Sequence, residues 1–283
     1  MRRSILLCCV AAAVVFGQPP RRIVSTAPSI TELLFALGLG DRVVGVDRFS
    51  RYPTEALRKQ KIGDYVNPNL EVIASLRPDL VIITTNPVKL AERLGVLRLK
   101  VLEIDQESVA KLYDSFRIVG QATGAAQQAA RLTANVRGQL EAIRAQAAPL
   151  KRTKMMFVVG RTPNRLDGLI VVGQASYLNE IIALAGGENV FRNALAPYPR
   201  VSLEEVLARQ PEVIVDMGDM ADTVGVTEEH KREVTGLWQR LGTVAAVKQH
   251  RVFAVASDVY VEPGPRVVEA AKSFFEMLHP NGK

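Results

Sequence analysis

Cysteine is almost missing from this chain: Cys8 and Cys9 are the two it has among 283 residues. Both sit in the first apolar run, so nothing after it can form a disulfide, a thiolate nucleophile or a sulfur-ligated metal site. Histidine is scarce too. His230, His250 and His279 fall on a helix, a turn and the tail, without the spacing of metal ligands or of a base beside a serine. HExxH, CxxC and a Walker lysine loop are absent, and Gly38-Leu39-Gly40 is a helix stop without the third glycine of a dinucleotide fingerprint. Gly186-Gly187 reads as a helix cap. Asp258 with Glu262 and Asp216 with Asp219 are carboxylate pairs that read as solvated loop clusters. The expectation is a protein that is not an enzyme, has no metal site and needs no cofactor.

Charge of one sign is not concentrated. The formal net charge of +7 is spread along the chain, and no basic run interleaved with aromatics points to nucleic acid. No apolar run reaches the ~20 residues that span a bilayer. The longest, residues 5–16, follows Arg2 and Arg3 and ends in Val15-Phe16-Gly17, the pattern of a secretory signal peptide over residues 1–17. An uncleaved anchor is the alternative reading. A lipid anchor is set aside, because Cys8 and Cys9 lie inside the run and not at its end. Export to the periplasm follows from the leader.

What the chain does have is alternation. Short β-branched runs at residues 22–26, 43–46, 80–84 and 101–104 alternate with helix or loop, and the pattern returns at 155–159, 213–215 and 252–255. Helices are expected near 176–185, 202–209, 229–241 and 265–278. Near-continuous apolar strands between helices imply mostly parallel sheets covered on both faces. Ser29 with Glu32 reads as a capping box opening a helix that stops at Gly38. Between the halves, Leu132, Val136, Leu140 and Ile143 draw one apolar stripe along a proline-free helix that Pro149 ends. The fold class is α/β: two lobes, residues 18–125 and 150–283, joined by one long helix over 126–149.

Two segments repeat each other. NPNLEVIASLRPDLVIITT at 67–85 and RVSLEEVLARQPEVIVDMG at 200–218 align without a gap at an offset of 133 residues. Leu70 matches Leu203, Glu71 matches Glu204, Pro78 matches Pro211 and Asp79 matches Glu212. One helix-to-strand unit has been used in each half, and the two glutamates form a symmetric pair. Each also lies in a first helical turn, where the macrodipole alone favours a carboxylate.

IVSTAPSITELLFALGLGDRVVGVDRFSRYP, NLEVIASLRPDLVI, GGENVF, YPRVSLEEVLARQPEVIV and SDVYVEPGPR together resemble the cobalamin-binding periplasmic proteins of ABC importers. These belong to a larger group of two-lobed carriers for cobalamin, siderophores and haem. The resemblance implies a ligand cleft between the lobes, little closure on binding, and a monomer that delivers its ligand to ABC transporter transmembrane subunits. It carries the permease-docking role onto Glu71 and Glu204. Around the cleft it points to Pro28 after Ala27, Phe49, Asp258 and Tyr260, and to Tyr65 and Tyr198 where relatives often have tryptophan. Thr84 and Val259 replace further aromatics. Aromatic walls with phenol and carboxylate groups suit a large amide-fringed macrocycle, although each aromatic also reads as a half-buried packing residue. The alternative ligand is haem or a ferric siderophore, with Tyr65, Tyr198 or Tyr260 on iron and Arg165 or Arg200 on carboxylates. Phe49-Ser50, Glu188-Asn189 and Ser257-Asp258 favour a corrinoid.

Overall fold

The computed structural model describes residues 18–85, 89–218 and 227–280; the leader expected at 1–17 and Asp219 lie outside them. The first lobe runs β1 (Ile23–Ser25), α1 (Pro28–Ala36), β2 (Val43–Val46), β3 (Gln60–Lys61), α2 (Leu70–Ser75), β4 (Leu80–Thr84), α3 (Leu90–Val96), β5 (Val101–Ile104) and α4 (Val109–Thr123). Its sheet has the order β3-β2-β1-β4-β5, and every pairing is parallel. Helix α5 (Ala126–Ala147) follows. The second lobe runs β6 (Thr153–Gly160), β7 (Leu169–Val171), α6 (Tyr177–Leu184), β8 (Gly187–Asn189), β9 (Arg200–Val201), α7 (Leu203–Arg209), β10 (Val213–Asp216), α8 (Glu228–Gln239), α9 (Ala245–Lys248), β11 (Val252–Ala254) and α10 (Val267–Leu278).

The second sheet is mixed. Strands β8, β6, β10 and β11 are parallel, whereas β7 lies antiparallel to β6 and β9 antiparallel to β7. Sequence reading expects a mostly parallel sheet here and does not resolve β7, β8 or β9. Two- and three-residue strands carry too little periodicity to stand out. Gly187 also departs from the cap reading: Gly186 (φ +86°) turns the chain, and Gly187 opens β8.

The repeated units have one geometry. Asn69 caps α2 by accepting from Val72 N at 3.0 Å, and Ser202 caps α7 by accepting from Glu205 N at 3.3 Å. Each helix is followed by a non-glycine residue in the left-handed region, Arg77 (φ 45°) and Gln210 (φ 47°), just before Pro78 and Pro211. The acid after the proline then holds the start of the central strand. Asp79 accepts from Arg21 N and Arg22 N at 2.8 and 2.9 Å; Glu212 accepts from Lys154 N at 2.9 Å.

At ~1.5 Å per residue, α5 is ~33 Å long. It is welded to both lobes and does not hold them apart as a free rod. Ala129, Val136 and Leu140 are buried in a core cluster that also contains Ile23 and Phe116 of the first lobe and Phe157 and Phe274 of the second. The turn between α4 and α5 is tight: a Cβ on Gly120 would lie 2.4 Å from Ala129 Cβ. No described helix is long and apolar enough to cross a membrane.

Candidate functional site

The lobes meet where α1 leaves β1. Pro28 occupies the first turn of α1, and Ala27, the N-cap, makes no side-chain cap. The capping box expected from Ser29 and Glu32 does not form, because both side chains are taken by other partners, Ser29 by one in its own lobe and Glu32 by one across the junction. Ser29 Oγ donates to Gln106 Oε1 at 2.8 Å, and Gln106 Nε2 donates to the Pro263 carbonyl of the second lobe at 2.9 Å. Glu32, 3% exposed, is bound by Arg266. Arg266 also pairs with Asp258 at 3.0 Å and lies 4.0 Å over the Tyr52 ring. One guanidinium therefore ties α1 and the loop after β2 to the segment before α10.

Acidic groups crowd this junction. Burial pushes the Glu262 carboxyl up to about 8, and the negative neighbours Glu32, Asp258 and Asp47 add to the rise, against a hydrogen bond from Ser29 N–H. Burial also raises Asp47 to about 6, although its Oδ1 accepts from Phe49 N at 2.7 Å. Glu32 is raised for the same reason in spite of Arg266. Burial lowers Arg266, but the Glu32 and Asp258 carboxylates more than reverse that and hold it above its ordinary value. Removing charge from water without full pairing favours the neutral form. Glu32 Oε2, Asp47 Oδ2 and the Tyr177 hydroxyl are buried without a hydrogen-bond partner.

The expected ligand residues divide into three groups. Phe49, 45% exposed, stands in the loop beside Asp47, its ring covered by Arg48 at 4.5 Å. Tyr198, 41% exposed, accepts from Ser176 Oγ at 3.2 Å, and its phenol neighbours Tyr177. With Pro28 and Asp258 these lie around the junction. Tyr65 is half-buried, packs on the core and donates through its hydroxyl to the Thr85 carbonyl at 2.9 Å. Tyr260 is the most deeply placed of the six. It is 9% exposed, stacked among Phe157 and Phe274, and its hydroxyl bonds Ser273 at 2.7 Å, because the turn Asp258–Tyr260 directs it inward.

Both carboxylate pairs also need correction. Asp216 is fully buried, bound to Arg161 at 3.0 Å and to Trp238 Nε1 at 2.7 Å; it is a structural anchor, not a solvated loop acid. Asp258 and Glu262 belong to the junction. Sequence reading missed Glu32, Asp47, Arg266 and Tyr177 there. The residues EPGPR after Asp258 were visible, but their first-lobe partners Gln106 and Glu32 lie 157 and 234 positions away.

Glu71 and Glu204 are exposed, each at the second position of its helix. Each borders a shallow depression on its own lobe. One of about 530 Å³ is lined by Leu70, Arg93, Val96 and Leu97, and one of about 460 Å³ by Leu166, Gly168 and Arg200. The Glu204 carboxyl is lowered by its own backbone N–H and by Ser202. Arg200 thus shares the Glu204 depression, and Arg165 is paired with Asp167 at 2.6 Å. A larger cavity of about 670 Å³ lies between α1, α5 and α10, lined by Phe35, Tyr52, Asn135 and Gln139. Phe49, Tyr65 and Tyr198 take no part in it. Among the described residues, no group of His, Cys, Asp and Glu is arranged to hold a metal ion.

Two α/β lobes bridged by one long helix, with a polar junction between them, define a two-lobed solute-binding architecture. The chain belongs to the periplasmic binding protein family, which matches residues 23–259. A vitamin B12-binding protein of Vibrio parahaemolyticus is 30% identical over 257 residues, covering 90% of this chain and 88% of the relative. Among solved structures, the periplasmic vitamin B12 binding protein BtuF of Vibrio cholerae is similar with TM-score 0.78 and 26% identity, over 93% of this chain and 98% of that one. The periplasmic haem-binding protein RhuT from Roseiflexus is similar with TM-score 0.77 and 27% identity, over 94% and 100%.

Proposed function

We propose that this protein is an exported, non-catalytic, monomeric carrier that captures cobalamin or a related corrinoid between its lobes and delivers it to an ABC transporter permease. The observation that carries the reading is the repeated helix-strand unit. It puts one exposed glutamate, Glu71 or Glu204, at the same helical position of each lobe, next to a shallow depression. Relatives named for vitamin B12 supply the ligand class. Pro28, Phe49, Tyr65, Tyr198 and Asp258 are the residues assigned to the ligand, and Glu71 and Glu204 to the permease. Since α5, α4 and α10 share one core across the lobes, lobe motion is small and release depends on the permease prying at the two glutamates.

The double variant Glu71→Ala/Glu204→Ala is expected to bind cyanocobalamin within about twofold of the parent in calorimetry. Uptake in cells should fall by more than about tenfold, since rim charges govern orientation and encounter more than affinity. Full uptake by the double variant, or a tenfold loss of its affinity, would overturn the docking assignment. The haem reading is the weaker one: Arg165 is engaged by Asp167, and Arg200 lies beside Glu204.

A further inference from the structure

The inter-lobe junction is short of positive charge. Glu32 comes from α1, Asp47 from the loop after β2, and Asp258 and Glu262 from the segment before α10. Against these four carboxylates stand Arg266, already shared by Glu32 and Asp258, Lys61, whose ammonium donates to the Ser50 carbonyl at 2.9 Å and which has Arg51 as a neighbour, and Arg48, which faces Asp47 but is paired with Asp64 at 3.3 Å. The junction also holds hydrogen-bonding capacity that the protein leaves unused. Tyr177 is 3% exposed with an unpartnered hydroxyl, and its electrostatic neighbours are Tyr198, Glu262 and Glu32. Glu32 Oε2 and Asp47 Oδ2, on residues 3% and 1% exposed, are unpartnered too. A buried acceptor without a donor is costly, and a ligand rich in N–H groups relieves that cost. A ligand bearing carboxylates adds like charge to the same place.

We propose that this junction selects its ligand by charge: it takes a macrocycle fringed with carboxamide or cationic groups and rejects one fringed with carboxylates, with Glu262 as the specificity-determining residue. Glu262 holds this role because it is half-buried, sits one residue before Pro263, whose carbonyl accepts from Gln106 of the first lobe, and neighbours Ser29 N–H, Tyr177 and the other three acids. The inference rests on the corrinoid reading and goes beyond it by stating what the site excludes.

The test compares cyanocobalamin, its monocarboxylate made by hydrolysing one side-chain amide, and haemin. All are titrated at pH 8.5, where Glu262, with its carboxyl at about 8, is more than half ionised. The parent protein should bind the amide at least about tenfold tighter than the monocarboxylate, since like charges set together in an interface are strongly unfavourable. Haemin should bind more weakly still. Glu262→Arg should shrink the amide-to-carboxylate ratio by at least about tenfold, and the nearly isosteric Glu262→Gln, which covers failure of the arginine variant to fold, should move it the same way. Cyanocobalamin binding with an unchanged ratio in the folded variant would overturn the selection and leave the carrier reading standing. No cyanocobalamin binding by the parent, with or without haemin binding, would overturn the carrier reading and the selection with it.

Discussion

The two lobes agree in their outward-facing unit and differ in what they bring to each other. In both, a capped helix starting with Leu-Glu ends in a left-handed residue before proline, and an acid then ties the central strand. The second lobe alone contributes the segment from Asp258 to Arg266, which crosses to Glu32 and Tyr52. It alone has a buried ion pair on the strand after the repeated helix, with Asp216 where the first lobe has Ile83. The likeness is thus confined to the outward-facing helix-strand unit, and the surfaces that meet at the junction carry different chemistry in the two lobes.

The largest expected effect breaks that asymmetry at Asp216. Its carboxylate serves Arg161, Trp238 Nε1 and Gly218 N, the last at 2.7 Å, inside a core cluster of the second lobe. Asp216→Ala leaves a buried guanidinium and an indole N–H unpaired, at a cost of about 3–5 kcal/mol. Ile83→Ala at the corresponding first-lobe position removes only apolar packing, about 2–5 kcal/mol. The two are separated by the rescue. Adding Arg161→Met to Asp216→Ala should recover a large part of the loss in urea unfolding, and no recovery would show that the ion pair is not the source of the cost.

Much of the comparison was legible in the chain itself. The offset of 133 residues located both helix-strand units, because the same cap, glutamate and proline recur with no gap. The strands over residues 43–46, 80–84 and 101–104 were readable as β-branched runs and match β2, β4 and β5. The junction was not legible. Glu32 lies three residues after Ser29 and so satisfied a local capping pattern, whereas its partner Arg266 is 234 positions away. Tyr260 followed an aromatic motif, and only the packing of Phe157 and Phe274 around it shows that it belongs to the core. Short-range patterns report propensity; a carboxylate that can choose between a backbone N–H and a distant guanidinium is decided by the tertiary fold.

A second experiment sharpens the contrast through pH. Glu262 lies in the segment that the second lobe alone contributes to the junction. Its carboxyl titrates at about 8 in the folded protein against an ordinary 4.5, so the folded state binds the proton more tightly than the unfolded one. Its contribution to stability is therefore greatest below pH 4.5 and is lost as pH rises toward 8. Asp47 behaves alike over a lower window, from 3.8 to about 6, and Glu32 is raised in the same direction, so the share of Glu262 is read from its own variant. Glu262→Gln should melt with the parent at pH 4 and above it at pH 8.5, by at least about 2–4 °C in Tm. A constant difference across that range would remove the titration from Glu262.

The smallest expected effect tests whether the repeated units are energetically as well as geometrically alike. Asp79 accepts two backbone N–H groups, from Arg21 and Arg22, and Glu212 accepts one, from Lys154. These bonds lie at the exposed start of β1 and β6, where water can replace a lost acceptor, so each is worth only about 1 kcal/mol. Asp79→Ala should then cost roughly twice as much as Glu212→Ala in chemical denaturation, about 2 against about 1 kcal/mol. The difference arises because the shorter aspartate lies close enough to the strand to bridge successive amides, while the glutamate reaches a single one. Equal losses would mean that the second N–H is solvated as readily as it is bound, and that the two lobes close their central strands with the same strength in spite of the different bond count.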